Sequence, residues 1–356
     1  MSGQAGNFDV LRLLFAVSVL FAHSFALLGF ADPIEAVVHT TNPGSLAVDG
    51  FFLISGYLIT RSWVHDPSIG RFLARRVLRL YPGFIVASLI SVFIVGPLGA
   101  DAAAYFHDLD LRVVLRNLLL LHDPQTPRVF AGTAVESVNG SMWTIAFEFR
   151  CYLLAALVGC LGLFARPRVF LVIVLLAGAA ISYTVPPIGP TDSQHLLFGL
   201  TALRVSDSMA WFATLFLCGS CFFLFRERIR FTRVGCVLAS VLLVASLFDP
   251  AALRPGVLLA GGYLVFAVAS LPARKRVRGS GHVDLSYGMY LYGWPVQKLL
   301  SWYWPGVTPW AMFVVTLILC TGLGWLSWRL VEQPALRLKP ARTLRRRVGA
   351  AAVDSA

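Results

Sequence analysis

Ten apolar runs recur along the chain, at about 10–30, 46–63, 80–98, 142–164, 169–184, 208–225, 234–248, 255–271, 283–301 and 308–330. A helix of about 20 residues crosses the hydrocarbon core of a bilayer, and the shorter runs suit spans that are tilted or covered by neighbours. In lipid every backbone polar group must be paired internally, which leaves helices or closed barrels. Unbroken apolar runs of this length predict an all-α fold. The expectation is a polytopic membrane helix bundle of about ten transmembrane helices. Composition agrees: 57% of residues are hydrophobic and only 13% charged, against about 25% charged in an average globular chain.

Charge sorts the connections into two classes. Gaps 64–79, 165–168, 226–233 and 272–282, with the stretch after 336, carry twenty Arg and Lys residues, among them Arg71, Arg75, Arg76, Arg79, Arg226, Arg274, Lys275 and Arg345. The opposite gaps carry five: Arg112, Arg116, Arg128, Arg204 and Arg254. By the positive-inside rule the first class is cytoplasmic. An even number of spans then puts both termini on that side. The net charge of +12 is thereby explained by topology, and no basic stripe of a nucleic-acid-binding module accompanies it. One membrane domain over 1–336, followed by a basic cytoplasmic tail at 337–356, accounts for the chain. The first run, with Arg12 embedded in it and more spans behind, reads as a membrane helix rather than a cleaved leader. Within the long outer gap 99–141, LDLRVVLRNLLLLH reads as a short amphipathic helix lying at the outer surface.

Ionisable groups inside such spans are costly and mark functional positions. Arg12 and His23 share the first run, eleven residues apart, so they lie within about 20° of each other and about 16 Å apart along one helix face. Of the seven histidines only His23 falls in an apolar span, and a neutral imidazole suits proton acceptance near neutral pH. Arg76 and Arg79, an i, i+3 pair, share a face at the start of the third run. Guanidinium groups in that arrangement suit phosphate. Glu148 lies within the fourth run, with Arg150 as a candidate neutralising partner, and Asp49 opens the second near its outer end. No HExxH motif or Cys/His cluster points to a metal. The six cysteines, Cys218 and Cys221 included, read as small buried apolar residues.

These segments together resemble the acyltransferase 3 family of integral-membrane acyltransferases, from Phe8 to about Pro334. The resemblance rests on Arg12 and His23, on VDGFFLISGYLIT at Val48 to Thr60, and on Arg76 and Arg79 ahead of Leu80-Tyr81-Pro82. It continues through Trp143-Thr144 with Glu148, then Ser286-Tyr287-Gly288-Met289-Tyr290-Leu291, and closes at Trp328 to Pro334. It implies transfer of an acyl group, commonly acetyl, from cytoplasmic acyl-CoA to a hydroxyl of a carbohydrate or glycolipid, in a bacterial inner membrane. The implied catalytic residues are His23, as general base or acyl carrier, and Glu148, orienting His23 or binding sugar hydroxyls. Arg12, Arg76 and Arg79 would hold the acyl-CoA phosphates. Asp49, Trp143, Ser286, Tyr287 and Tyr290 would line the acceptor site. Many members place a His after the SYxxYL stretch, where this chain has Gly293. The competing class is a multispan transporter or flippase of a lipid-linked sugar, although the paired repeats of many transporters are not evident.

Overall fold

The computed structural model describes residues 4–184, 194–196, 204–272 and 283–340. Arg274, Lys275, Arg276, Arg278 and most of the basic tail lie outside the described residues. Apart from one antiparallel pairing of Gln194–Leu196 with Arg204–Ser206, the regular elements described are helical. In chain order they are α1 Gln4–Ala26, α2 Glu35–Val38, α3 Pro43–His65, α4 Ile69–Leu98, α5 Ala102–Asp108, α6 Leu111–Leu120 and α7 Gly140–Cys160. There follow α8 Pro167–Thr184, α9 Asp207–Leu224, α10 Arg233–Ser246, α11 Pro250–Ser270, α12 Ser286–Tyr303 and α13 Pro309–Arg337. Among the described residues seven are long and apolar enough to cross a membrane: α1, α3, α4, α7, α9, α11 and α13. Shorter apolar stretches run over Pro167–Ile181 and Arg233–Ser246, and α12 has 18 residues. Every apolar run of the sequence therefore coincides with a helix. Faces such as Val234, Val237, Val241 and Leu242 of α10 point outward, as a lipid-facing stripe would.

Helix α3 is the centre of the bundle, packed against α1, α7 and α9. It meets α9 through two glycines that face each other's backbone: a Cβ on Gly56 would strike the Phe216 carbonyl, and one on Gly219 the Leu53 carbonyl. Small residues at such crossings let helices approach closely in membranes. Backbone cannot move aside as a side chain can, so overpacking here should cost about 1–3 kcal/mol. Gly56→Ala is expected to lower the thermal unfolding midpoint of the detergent-solubilised protein by several degrees; an unchanged midpoint would refute the contact.

Prolines shape the helices that carry polar groups. Pro97 and Pro334 each lie two residues beyond a π-helical turn, at Ser91–Val95 and Trp328–Glu332. Proline lacks an N–H and crowds the carbonyl four residues before it; the wider turn absorbs that misfit. In α12, Pro295 leaves the Leu291 carbonyl without its helical donor, and Asn139 Nδ2 donates to it at 3.0 Å. That contact docks the start of α7 onto α12.

The gap 99–141 corrects one expectation. Tyr81 Oη donates to the Leu119 carbonyl at 2.9 Å, whereas Phe130 N reaches Gly99 O at 2.7 Å. Tyr81 and Gly99 are eighteen residues apart on and just beyond α4, about 27 Å at helical rise. Helix α6 thus descends beside α4 instead of lying flat across its end. Its apolar pattern is the same in either orientation, which is why periodicity did not distinguish them. The returning segment is anchored by Lys298, which is fully buried and donates to Thr133 Oγ1 at 2.8 Å and to the Val135 carbonyl at 2.6 Å.

Candidate functional site

Two of the cavities among the described residues have ionisable linings. The first, about 290 Å³, is lined by Arg12 of α1, Ser55 of α3, Arg76 and Arg79 of α4, and Thr144, Glu148 and Tyr152 of α7. Asp284, Ser286, Tyr287, Tyr290 and Trp328 complete it. The three arginines that the sequence grouped therefore do converge on one space.

Their electrostatic situations differ. Arg12 Nη1 lies 3.1 Å from Asp284 Oδ2, and Arg79 Nη2 lies 2.5 Å from the same oxygen. Arg79 Nη1 is also 3.7 Å from Glu332 Oε2. Ser286 Oγ donates to the other Asp284 oxygen at 2.6 Å. Neighbouring Arg75 is bonded to Asp66, to which Arg71 also donates at 2.7 Å. These two arginines hold the Asp66 carboxyl down to about 2. Arg76 stands apart. Among the described residues it has no carboxylate partner; Nη2 reaches only Ser62 Oγ at 3.4 Å, and Nε is buried with no acceptor. Its guanidinium rests near the Phe72 and Tyr152 rings.

Glu148 sits in this arginine-lined cavity. It accepts from Tyr152 Oη, and Ser55 Oγ lies 3.5 Å away. Arg150 is not its partner: that side chain is exposed and packs over the Phe147 ring at 5.3 Å. Residues two apart on a helix face different ways, whereas residues four apart meet. Tyr152 therefore holds the place expected of Arg150. His23 lines the other cavity, so Glu148 does not orient it.

The second cavity, about 420 Å³, is lined by His23, Asp32, Glu35, Asp49, Trp143, Trp211 and Arg254, among others. His23 packs edge-on against Trp294, with ring centroids 4.8 Å apart. Among the described residues its Nδ1 is buried without a partner, which leaves Nε2 as the nitrogen able to meet a ligand. The turn bearing His23 is pinned by Gln297, whose Nε2 donates to Leu20 O and to Ser24 Oγ, each at 2.8 Å. Gly293 explains itself at this crossing: a Cβ there would overlap the Leu20 side chain. A larger residue at 293 requires Leu20 to move.

Asp49 is buried and accepts from Trp211 Nε1 at 2.9 Å. Arg254 is buried too, stacked 5.2 Å from the Trp211 ring and within electrostatic reach of Asp49 and Asp207. Sequence reasoning counted Arg254 as an outer-loop charge, with no local signal of its burial, and passed over Trp211, which lay within the apolar run 208–225. Trp143 is 37% exposed and lines this second cavity. Ser286 and Tyr287 line the first and also hold structure, the latter by donating to the Leu80 carbonyl at 2.7 Å. Tyr290 lines both cavities. The described residues contain no group of three or more His, Cys, Asp or Glu placed to hold a metal.

Residues 6–329 match the model of a family described as an acyltransferase domain. The chain is similar to an O-acetyl transferase of Shigella phage Sf6, 26% identical over 341 residues that cover 93% of this chain and 96% of that one. It is similar to nodulation protein 10 of Rhizobium leguminosarum bv. viciae, 27% identical over 366 residues and 97% of each chain. A shorter similarity, 31% over 147 residues, links it to the acyltransferase MdmB of Streptomyces mycarofaciens, covering 40% of this chain and 36% of the other. No solved structure matches.

Proposed function

Because the chain belongs to the acyltransferase 3 family and is a multi-pass membrane O-acyltransferase, we propose that it moves an acyl group, most simply acetyl, from acyl-CoA to a carbohydrate hydroxyl. The arginine-lined cavity is the donor site and the His23-lined cavity the acceptor site. The observation that carries this reading is the pairing of Arg76, which among the described residues makes no ion pair although Glu148 stands within its electrostatic reach in the first cavity, with His23, whose Nδ1 is buried, in the second.

The donor brings phosphates to Arg76, with Arg12 and Arg79 adding positive potential from their ion pairs with Asp284 and Glu332. Charge-assisted bonds of this kind are the strong ones. Asp49, Trp143 and Tyr290 present polar and aromatic surface to a sugar, as saccharide recognition needs. His23 Nε2 accepts the proton of the attacking hydroxyl as its oxygen bonds to the thioester carbonyl carbon. The carbon–sulfur bond breaks, and the departing CoA thiolate takes up a proton. Products are the O-acyl ester and CoA. Glu148, with Ser55 and Tyr152, shapes the donor cavity wall.

Ten spans, with both termini and the arginine-rich connections on the cytoplasmic face of a bacterial inner membrane, fit transfer from cytoplasmic acyl-CoA to a hydroxyl at the far side. The domain then extends over 1–336, with 337–356 as a basic tail. The transporter or flippase alternative gives way to the family membership. Mass spectrometry of envelope and secreted glycans, from cells with and without the protein, is expected to show an acyl mass increment only in its presence. No increment in any glycan would remove the carbohydrate acceptor. Arg76→Ala should weaken acetyl-CoA binding by about 10- to 100-fold, the worth of one hydrogen bond to a charged group. Unchanged affinity would remove the clamp.

A further inference from the structure

Val48 and Tyr290 are the two residues that line both cavities. All else in either lining belongs to one side, so these two side chains stand where the two spaces meet. Val48 is a small apolar residue of α3 with no polar group to offer. Tyr290 is held at three points. Its hydroxyl lies 2.6 Å from Thr144 Oγ1, its carbonyl accepts from Ser141 Oγ at 3.1 Å, and its ring meets Phe51 edge-on with centroids 6.2 Å apart. Thr144 lines the arginine cavity, so the hydroxyl pair draws the ring toward the donor side. The backbone at Tyr290 is fixed by α7, and what remains movable is the side chain.

Resting on the reading above, we infer that Tyr290 is the gate between donor and acceptor cavities, latched by Thr144 and opened when a hydroxyl acceptor is seated. The chemistry requires such an element. A thioester meeting His23 in a polar cavity is open to attack by water, which gives the free acid and CoA and wastes the donor. Water and a sugar hydroxyl present the same O–H to the same base. Discrimination therefore has to come from when the thioester reaches His23, and the junction of the two cavities controls that. Excluding water from a reactive group is a general use of closing elements in enzymes.

The test separates hydrolysis from transfer. Purified protein is supplied with acetyl-CoA, and CoA release is followed with a thiol-reactive dye, first with water as sole acceptor and then with a glycan extract from the host envelope. Wild type should release little CoA without glycan. Tyr290→Phe and Thr144→Val each delete the same hydrogen bond, and both should raise glycan-independent release by about tenfold, the size of one such bond. Tyr290→Ala removes the ring as well and should leak more while its transfer falls. Should Tyr290→Ala fail to fold, the two conservative variants decide. A hydrolysis-to-transfer ratio equal to wild type in both would overturn the gate. Wild type that neither transfers nor hydrolyses would instead overturn the acyltransfer assignment to these cavities.

Discussion

Replacing His23 with Ala is expected to lower acyl transfer by about 10²- to 10⁴-fold, the usual contribution of a positioned general base, while acetyl-CoA affinity stays as in wild type. The second half of that statement follows from geometry. His23 lines the cavity opposite the arginines, so a donor held at Arg76 keeps its contacts when the imidazole goes. The ring's aromatic contact is edge-on with Trp294, and among the described residues its buried Nδ1 makes no bond that the substitution would break. Turnover and donor binding should therefore separate cleanly. Normal turnover in a folded His23→Ala protein would end the base assignment. Labelled acetyl-CoA without acceptor decides the route: a label retained on His23 makes the imidazole a covalent carrier, and its absence favours direct transfer to the hydroxyl.

The helices and the shared face of Arg76 and Arg79 were legible because both are matters of period, whereas Arg12 joins them from another helix and was grouped with them through the family resemblance. An apolar run of adequate length is a span whatever surrounds it, and spacings of three and eleven residues fix which side chains share a face. What periodicity cannot supply is the partner. Asp284 lies 272 residues from Arg12 and 205 from Arg79, and it was absent from the sequence-derived site. Arg254 was hidden for the same reason, since its neighbours Asp49 and Trp211 come from other helices. Proximity in the chain also misled. Arg150 stands near Glu148, yet the helix turns it outward and brings Tyr152 round instead. Helix α6 shows the last limit: an amphipathic stripe tells which face is apolar, and not whether the apolar medium lies beneath it or beside it.

The largest loss of stability is expected from Asp284→Ala. This carboxylate is 6% exposed and neutralises two guanidiniums at once, those of Arg12 and Arg79. Removing one member of a buried ion pair costs about 3–5 kcal/mol, because the remaining charge is left in a poor solvent. Against a typical total of about 5–15 kcal/mol that is a large share. Glu332, 3.7 Å from Arg79, offsets only part of it. A sharp drop in thermal midpoint and in the yield of folded protein should follow. A double variant replacing Asp284 and Arg12 by Leu should recover part of the loss, since Arg79 keeps Glu332 and fewer charges are left unmatched. An unchanged midpoint in Asp284→Ala would mean that solvent, rather than Asp284, already satisfies the arginines. The milder Asp284→Asn keeps an acceptor for Ser286 and bears on function as well. If donor phosphates compete with Asp284 for Arg12 and Arg79, the folded Asn variant should bind acetyl-CoA more tightly than wild type. If only Arg76 meets phosphate, its affinity should not change, and the two outcomes assign the clamp to three arginines or to one.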